Sequence, residues 1–336
     1  MTRNKYRKQF YLIVIGIVLH AGFVSAQSLF PFLGGQRAGT SAATFLKIGV
    51  GAKATAMGGA FVALANDASA MYWNPAGVAQ VPQNELMVTH INWPADIKYE
   101  YLGYVQHLPY IGSVGVSCSF LHTDDMAVTT EYLPHGTGEY FSYSDLMVGL
   151  TWSLNMTNRF SFGITGKYVR EDIAELNMQN WMIDLGTYYW TGFKSLRFAV
   201  SLVNFGPDLK PGGHYQKKTK EGKYIQEDYE AFSPPTVFRI GSAMEFFDNE
   251  THSLTGSIQM SHPVDNAENV VIGVAYGFLK KVELRSGYKI NYDEERFTFG
   301  AGMKVPLAST SLKIDYCYGE FGRLQSTHQF SIGFNF

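Results

Sequence analysis

Few residues in this chain are spaced for chemistry. His122-Thr123-Asp124-Asp125 sets an imidazole beside two carboxylates, the pairing a general acid or base needs. No Ser-centred nucleophile elbow and no His-rich metal spacing accompanies it, so the stretch reads as a solvated loop and no catalytic residue is assigned. Asp124, Asp125 and Glu131 are oxygen donors of the kind calcium takes, but without the spacing of a calcium loop no metal ligand is assigned. Gly49-Val50-Gly51-Ala52-Lys53-Ala54 faintly mimics a nucleotide loop; it lacks the preceding strand and the following acidic residue, and no cofactor is expected. The best ligand candidates are the rings of Tyr72 and Trp73 beside the turn former Asn74-Pro75, where an aromatic can gate an apolar path. The competing reading is that these rings merely wedge one segment against another.

The elements that would position these residues are strands. The chain stops on Gln329-Phe330-Ser331-Ile332-Gly333-Phe334-Asn335-Phe336, apolar at every second position to its last residue. One greasy face and one small, polar face suit a wall between lipid and a wet interior. From Glu85 onward, fourteen segments share this period of two and almost nothing shows a helical period. Val270, Ile272, Val274, Tyr276 and Phe278, for example, face away from Val271, Gly273, Ala275 and Gly277.

The connections alternate in length. Short ones fall at Leu108–Gly112, Asn155–Arg159, Thr191–Ser195, Phe247–His252, Leu279–Lys281 and Leu307–Thr310; long ones fall at His122–Phe141, Glu171–Asn180 and Gly206–Pro235. Short periplasmic turns and long outer loops mark an outer-membrane barrel. Counting back from a periplasmic Phe336 puts every short turn on the periplasmic side. The inward faces then carry Lys167, Asp184, Arg197, Arg239, Glu283, Arg285, Lys313 and Asp315. Charges of both signs are expensive in lipid, so this face is the lumen, and their mixture favours internal ion pairs and a plugged interior.

Composition agrees. Aromatic residues make up 15% of the 336 residues and charged ones only 17%, which suits a wall greasy outside and polar inside better than a soluble enzyme. The net charge of −2 gives no basis for a nucleic-acid partner. Arg3, Lys5, Arg7 and Lys8, the apolar run Phe10–Val24, and Val24-Ser25-Ala26 form a signal peptide over residues 1–26. Residues 27–84 lack strand alternation, are rich in Gly and Ala, and read as a hatch inside the barrel of residues 85–336. Cys118 and Cys317 are expected to stay unpaired. Lys217, Lys218 and Lys220 sit in the longest loop, where they would meet lipopolysaccharide or simply solvent.

The hatch segment also carries a likeness. Gly39-Thr40-Ser41-Ala42-Ala43-Thr44-Phe45-Leu46-Lys47-Ile48-Gly49, Ala56-Met57-Gly58-Gly59-Ala60-Phe61-Val62-Ala63, Asn66-Asp67-Ala68-Ser69-Ala70 and Trp73-Asn74-Pro75-Ala76-Gly77 closely resemble the PorV/PorQ family of outer-membrane proteins, as do Gly136–Phe141 and Val203–Gly206. The Asn-Pro-Ala element also resembles the hatch of FadL-type hydrophobic-compound channels. The resemblance implies a fourteen-stranded barrel and a role in type IX secretion, with secreted cargo proteins or translocon components as partners. The expectation is therefore a non-enzymatic all-β transmembrane barrel of the Gram-negative outer membrane, in contact with its lipid and lipopolysaccharide, acting as a secretion scaffold. The alternative is a channel for hydrophobic small molecules with Tyr72, Trp73, Asn74 and Pro75 at its gate.

Overall fold

The computed structural model describes residues 38–218, 224–307 and 310–336. The expected signal peptide, 1–26, the first part of the expected hatch segment and Lys220 lie outside them. The strands are β1 Glu85–Trp93, β2 Ile97–Leu108, β3 Gly112–His122, β4 Met126–Ala127, β5 Tyr140–Phe141, β6 Tyr143–Asn155, β7 Phe160–Ile173, β8 Leu176–Trp190 and β9 Arg197–Phe205. They continue as β10 His214–Lys218, β11 Tyr224–Asp228, β12 Val237–Asp248, β13 His252–Pro263, β14 Asn269–Phe278, β15 Val282–Ile290, β16 Phe297–Leu307, β17 Thr310–Glu320 and β18 Ser326–Asn335. Fourteen of them form one closed antiparallel barrel in chain order. The seam pairs β1 with β18, from Glu85 opposite Asn335 to Asn92 opposite His328. The other four make two small hairpins, β4–β5 and β10–β11, within the long loops.

Strand alternation sorts the two faces. Ile272, Val274, Tyr276 and Phe278 point outward and are exposed, while Val271 and Ala275 are buried inside. The same holds at the last strand, where Phe330, Ile332 and Phe334 are outward and Gln329, Ser331 and Asn335 inward. Exposed apolar side chains recur on every barrel strand, an outer surface that suits lipid and not water. No helix among the described residues is long and apolar enough to cross a membrane. Cys118 and Cys317 are both free thiols.

The turns at the end shared by Glu85 and Asn335 are tight. Leu279 and Lys280 both take the left-handed conformation (φ 52° and 54°), whose twist matches that of the flanking strands in a two-residue hairpin. The opposite end carries the long loops 123–142 and 206–236. The stretch Glu171–Asn180, expected as a long loop, is instead continuous hairpin: pairing runs out to Ile173 opposite Leu176, and Glu171 faces the interior. Its alternation is hidden by polar residues at both inward and outward positions.

Residues 41–81 fill the barrel. The chain starts at the long-loop end, where Ala42 N donates to Ser233 O and Ser41 bridges Ser233. It passes through a 3-10 turn at Thr44–Lys47, helix α1 (Ala52–Ala56), helix α2 (Ala70–Trp73) and a second 3-10 turn at Pro75–Gln80. It leaves at the short-turn end, where Gln80 Nε2 donates to Asn155 Oδ1 (3.0 Å). None of its helical pieces exceeds six residues, so local propensity contributes little and the wall must hold it. Apart from two cavities, this segment packs against the inner face of the wall.

Candidate functional site

Wall side chains hold the hatch by its backbone. Gln259 Oε1 accepts from Phe61 N and Val62 N, and Ser331 Oγ accepts from Ala52 N (2.8 Å). Thr298 Oγ1 donates to Ala56 O (2.9 Å), while Tyr188 OH and Arg197 Nε both donate to Ala63 O. These bonds satisfy backbone groups that short, irregular segments leave open. Inward glycines let the hatch come this close. A Cβ at Gly287 would stand 2.1 Å from Gly58 N, and one at Gly163 would stand 2.3 Å from the Pro75 carbonyl carbon.

Asn74 and Pro75 belong to this packing. Asn74 is fully buried; its Nδ2 donates to Val62 O (3.0 Å) and Thr187 O (3.1 Å), and its Oδ1 accepts from Ala76 N (3.0 Å). It thereby caps the 3-10 turn that opens on Pro75, where a missing N–H costs nothing.

Tyr72 and Trp73 do something else. Their rings meet edge to face, with centroids 4.9 Å apart, and both line a cavity of about 500 Å³ between the hatch and the long-loop end. Trp73 is fixed by Nε1 donating to Val50 O (2.8 Å) and by its own carbonyl accepting from Ser201 Oγ (3.0 Å). Gly49 and Gly59 lie flat on the indole, where a Cβ would come within 3.1 and 2.9 Å of it. Arg239 lies over both rings, its guanidinium 5.3 Å from the Tyr72 centroid and 5.2 Å from that of Trp73. No carboxylate among the described residues forms an ion pair with it, and its hydrogen bond to Tyr72 O is long at 3.4 Å.

The cavity's upper walls mix apolar and charged groups. Ile91, Trp93 and Phe321 contribute apolar surface, with the Trp93 and Phe321 rings edge to face at 4.8 Å. Lys47 pairs with Asp265 (2.7 Å) and Lys289 pairs with Glu295 at the rim. Burial holds the Tyr72 phenol above its usual range and pushes that of Tyr292 up to about 12, with the Arg239 charge opposing both shifts. Both phenols therefore stay neutral at ordinary pH, and the floor of the cavity carries the positive charge of Arg239.

The other inward charges are paired away from this cavity. Lys167 and Asp184 form a buried pair (2.5 Å), with Asn204 donating to Asp184 Oδ1 and accepting from Lys167. Arg197 makes a bidentate pair with Glu245, both bonds 2.7 Å. Arg285 bridges Glu283 and Asp315, and Lys313 pairs with Glu85 (2.9 Å). Glu283, Arg285, Lys313 and Asp315 line a second cavity of about 210 Å³, which also includes Lys53 of the hatch and Lys281 of a short turn. Trp93, Tyr292 and Phe321 were not singled out from the sequence; they sit at strand ends and in turns, where alternation gives no signal.

Fold and site together define a hatch-plugged, fourteen-stranded membrane barrel with an aromatic-floored cavity above the plug. A model of an uncharacterised protein family (UPF0164) matches residues 24–166. No curated protein matches the chain. Among solved structures, the chain is similar to the CymD monoaromatic hydrocarbon channel, at 14% identity and a TM-score of 0.56 over 86% of this chain and 98% of that one. It is also similar to the Pseudomonas putida toluene transporter TodX (14% identity, TM-score 0.56, 85% and 97% covered). A third is the Ralstonia pickettii toluene transporter TbuX (12% identity, TM-score 0.53, 85% and 97% covered). At such identities the likeness bears on the fold, which is that of these outer-membrane barrels. None of these matches is described as a PorV/PorQ or secretion protein.

Proposed function

We propose that the protein is an outer-membrane channel for small, largely apolar molecules, and not an enzyme, with the hatch as its gate. The observation that carries this reading is the cavity itself: about 500 Å³, open to the long-loop end, and floored by Tyr72 and Trp73 of the hatch with Arg239 of the wall over them. That volume is in the range of small-molecule sites. A ligand resting on hatch side chains can act on a part of the interior that is not barrel strand.

The likeness to channels whose names specify hydrocarbons and toluene supports the same reading. The secretion-scaffold reading rests on the resemblance through the N-terminal motif and the outer loops and on the mixed lumen charges, and several residues of the motif are engaged in packing. Asn74, Pro75 and Gly77 lock the hatch, and Gly58 and Gly59 meet the wall and Trp73. Those residues account for a hatch without a cargo partner.

The test is uptake. Wild-type barrel in liposomes should carry a small aromatic compound saturably, and Trp73→Ala should change both rate and saturation while the barrel remains heat-modifiable on gels. Uptake no faster than protein-free liposomes would sink the channel. Capture of a secreted protein by the long loops, with no such transport, would restore the scaffold.

A further inference from the structure

Two carboxylates stand side by side inside the wall with no cation to balance them. Asp145 of β6 and Glu171 of β7 are direct register partners, so both point inward from adjacent strands. Asp145 is 0% and Glu171 7% exposed. Like charges directly opposite on a sheet repel, and burial raises the cost. Yet neither carboxylate joins an ion pair among the described residues: Lys167, two inward positions along β7, is held by Asp184, and Arg170, on the other face, pairs with Asp172.

The surroundings supply further oxygens that lack partners. Asp145 Oδ2 accepts from Tyr143 OH (2.6 Å), but its Oδ1 is buried and bonded to nothing. The hydroxyls of Tyr99 and Ser119 are also buried without a partner. These two residues lie on the adjoining inward faces of β2 and β3; Leu121 stands in register between Tyr99 and Asp145, and Ser119 is the next inward position along β3. The hatch closes the site. Glu171 Oε2 accepts from Ala43 N (2.7 Å), and the Phe45 ring meets that of Tyr99 edge to face at 6.3 Å. Every unsatisfied group here is an oxygen, the donor type hard cations select, and two carboxylates match a double positive charge.

We infer that Asp145 and Glu171 bind a divalent hard cation, calcium by preference, with the Tyr99 and Ser119 hydroxyls and water completing its oxygen shell. The cation ties the first segment of the hatch to the wall, because Glu171 holds both the ion and the backbone of Ala43. This site is separate from the cavity over Tyr72 and Trp73 and does not depend on what that cavity takes.

The experiment uses purified full-length barrel in detergent, stripped with EDTA and titrated with calcium chloride. Calorimetric titration should give one site. Calcium should raise the unfolding temperature by several degrees, as binding to the folded state alone requires, and slow trypsin cleavage at Lys47 and Lys53. Asp145→Asn with Glu171→Gln keeps size and the Ala43 bond and should abolish both effects. Ser119→Ala, a milder change that leaves the carboxylates, should weaken calcium binding several-fold with the barrel intact. Asp124→Asn with Asp125→Asn, in the exposed loop, should change nothing. The inference is overturned if wild-type protein shows no calcium-dependent shift, or if the carboxylate variant keeps it. Stability that rises on acidification and ignores calcium would also overturn it, since the two carboxyls would then share a proton.

Discussion

At the scale of single residues, the interior is decided by what meets what across strands. Lys167→Met would leave Asp184 buried without its cation, and a broken buried pair costs about 3–5 kcal/mol. The chemical-denaturation midpoint of the refolded barrel should fall accordingly, and Asp184→Leu added to it should recover much of the loss. No recovery would mean that Asp184 is sustained by Asn204 alone. Gly163→Ala places a methyl group against the Pro75 carbonyl carbon. The hatch should loosen there by about 1–3 kcal/mol, the usual penalty of overpacking, seen as faster trypsin cleavage at Lys53 in a barrel that still migrates as folded. That Gly163 points inward was legible from its neighbours Phe162 and Ile164. That a hatch carbonyl presses on it was not, because the contact joins residues 88 positions apart in a segment without periodicity. The same holds for Asn74: its turn-forming chemistry was readable, but its bond to Thr187 O was not.

At the scale of elements, period two did most of the specifying. It fixes which face of each strand meets lipid, and hence strand number and the parity of the turns. Val274→Asn should therefore lower the yield of barrel refolded into lipid vesicles, whereas Ala275→Ser, on the packed inner face, should leave it unchanged. The reverse order would invert the facing of β14. Where polar residues occupy both faces, as over Glu171–Asn180, the same signal failed and a hairpin read as a loop. Loss of Phe336 tests the seam. Its N–H donates to Asn84 O, and its ring stacks on Tyr104 at 6.4 Å, so it joins the end of the last strand to the first two. Deleting it should reduce the amount of assembled barrel in the membrane; unchanged assembly would show that the seam closes without it.

At the scale of the whole molecule, the two ends of the barrel are chemically distinct: long loops and the larger cavity at one, tight turns and the cluster of Lys53, Lys281, Arg285 and Lys313 at the other. Orientation in the membrane follows. In a background lacking Cys118 and Cys317, Gln216→Cys should react with a membrane-impermeant maleimide on intact cells and Glu250→Cys should not. Labelling of Glu250→Cys alone would turn the molecule upside down. The sequence pointed to this asymmetry through loop lengths, which survive any error in single elements.

The hatch enters beside Ser233 at one mouth and leaves beside Asn155 at the other, so the polypeptide runs through its own ring like a thread through a bead. The ring closes where its first and last strands meet. The thread is covalently continuous with the wall at its later end, where it runs on into the first strand at Glu85; at its earlier mouth hydrogen bonds hold it. Slackening of its bonds around Gly58, Gly59 and the segment bearing Trp73 would open the lumen without parting any pair of strands.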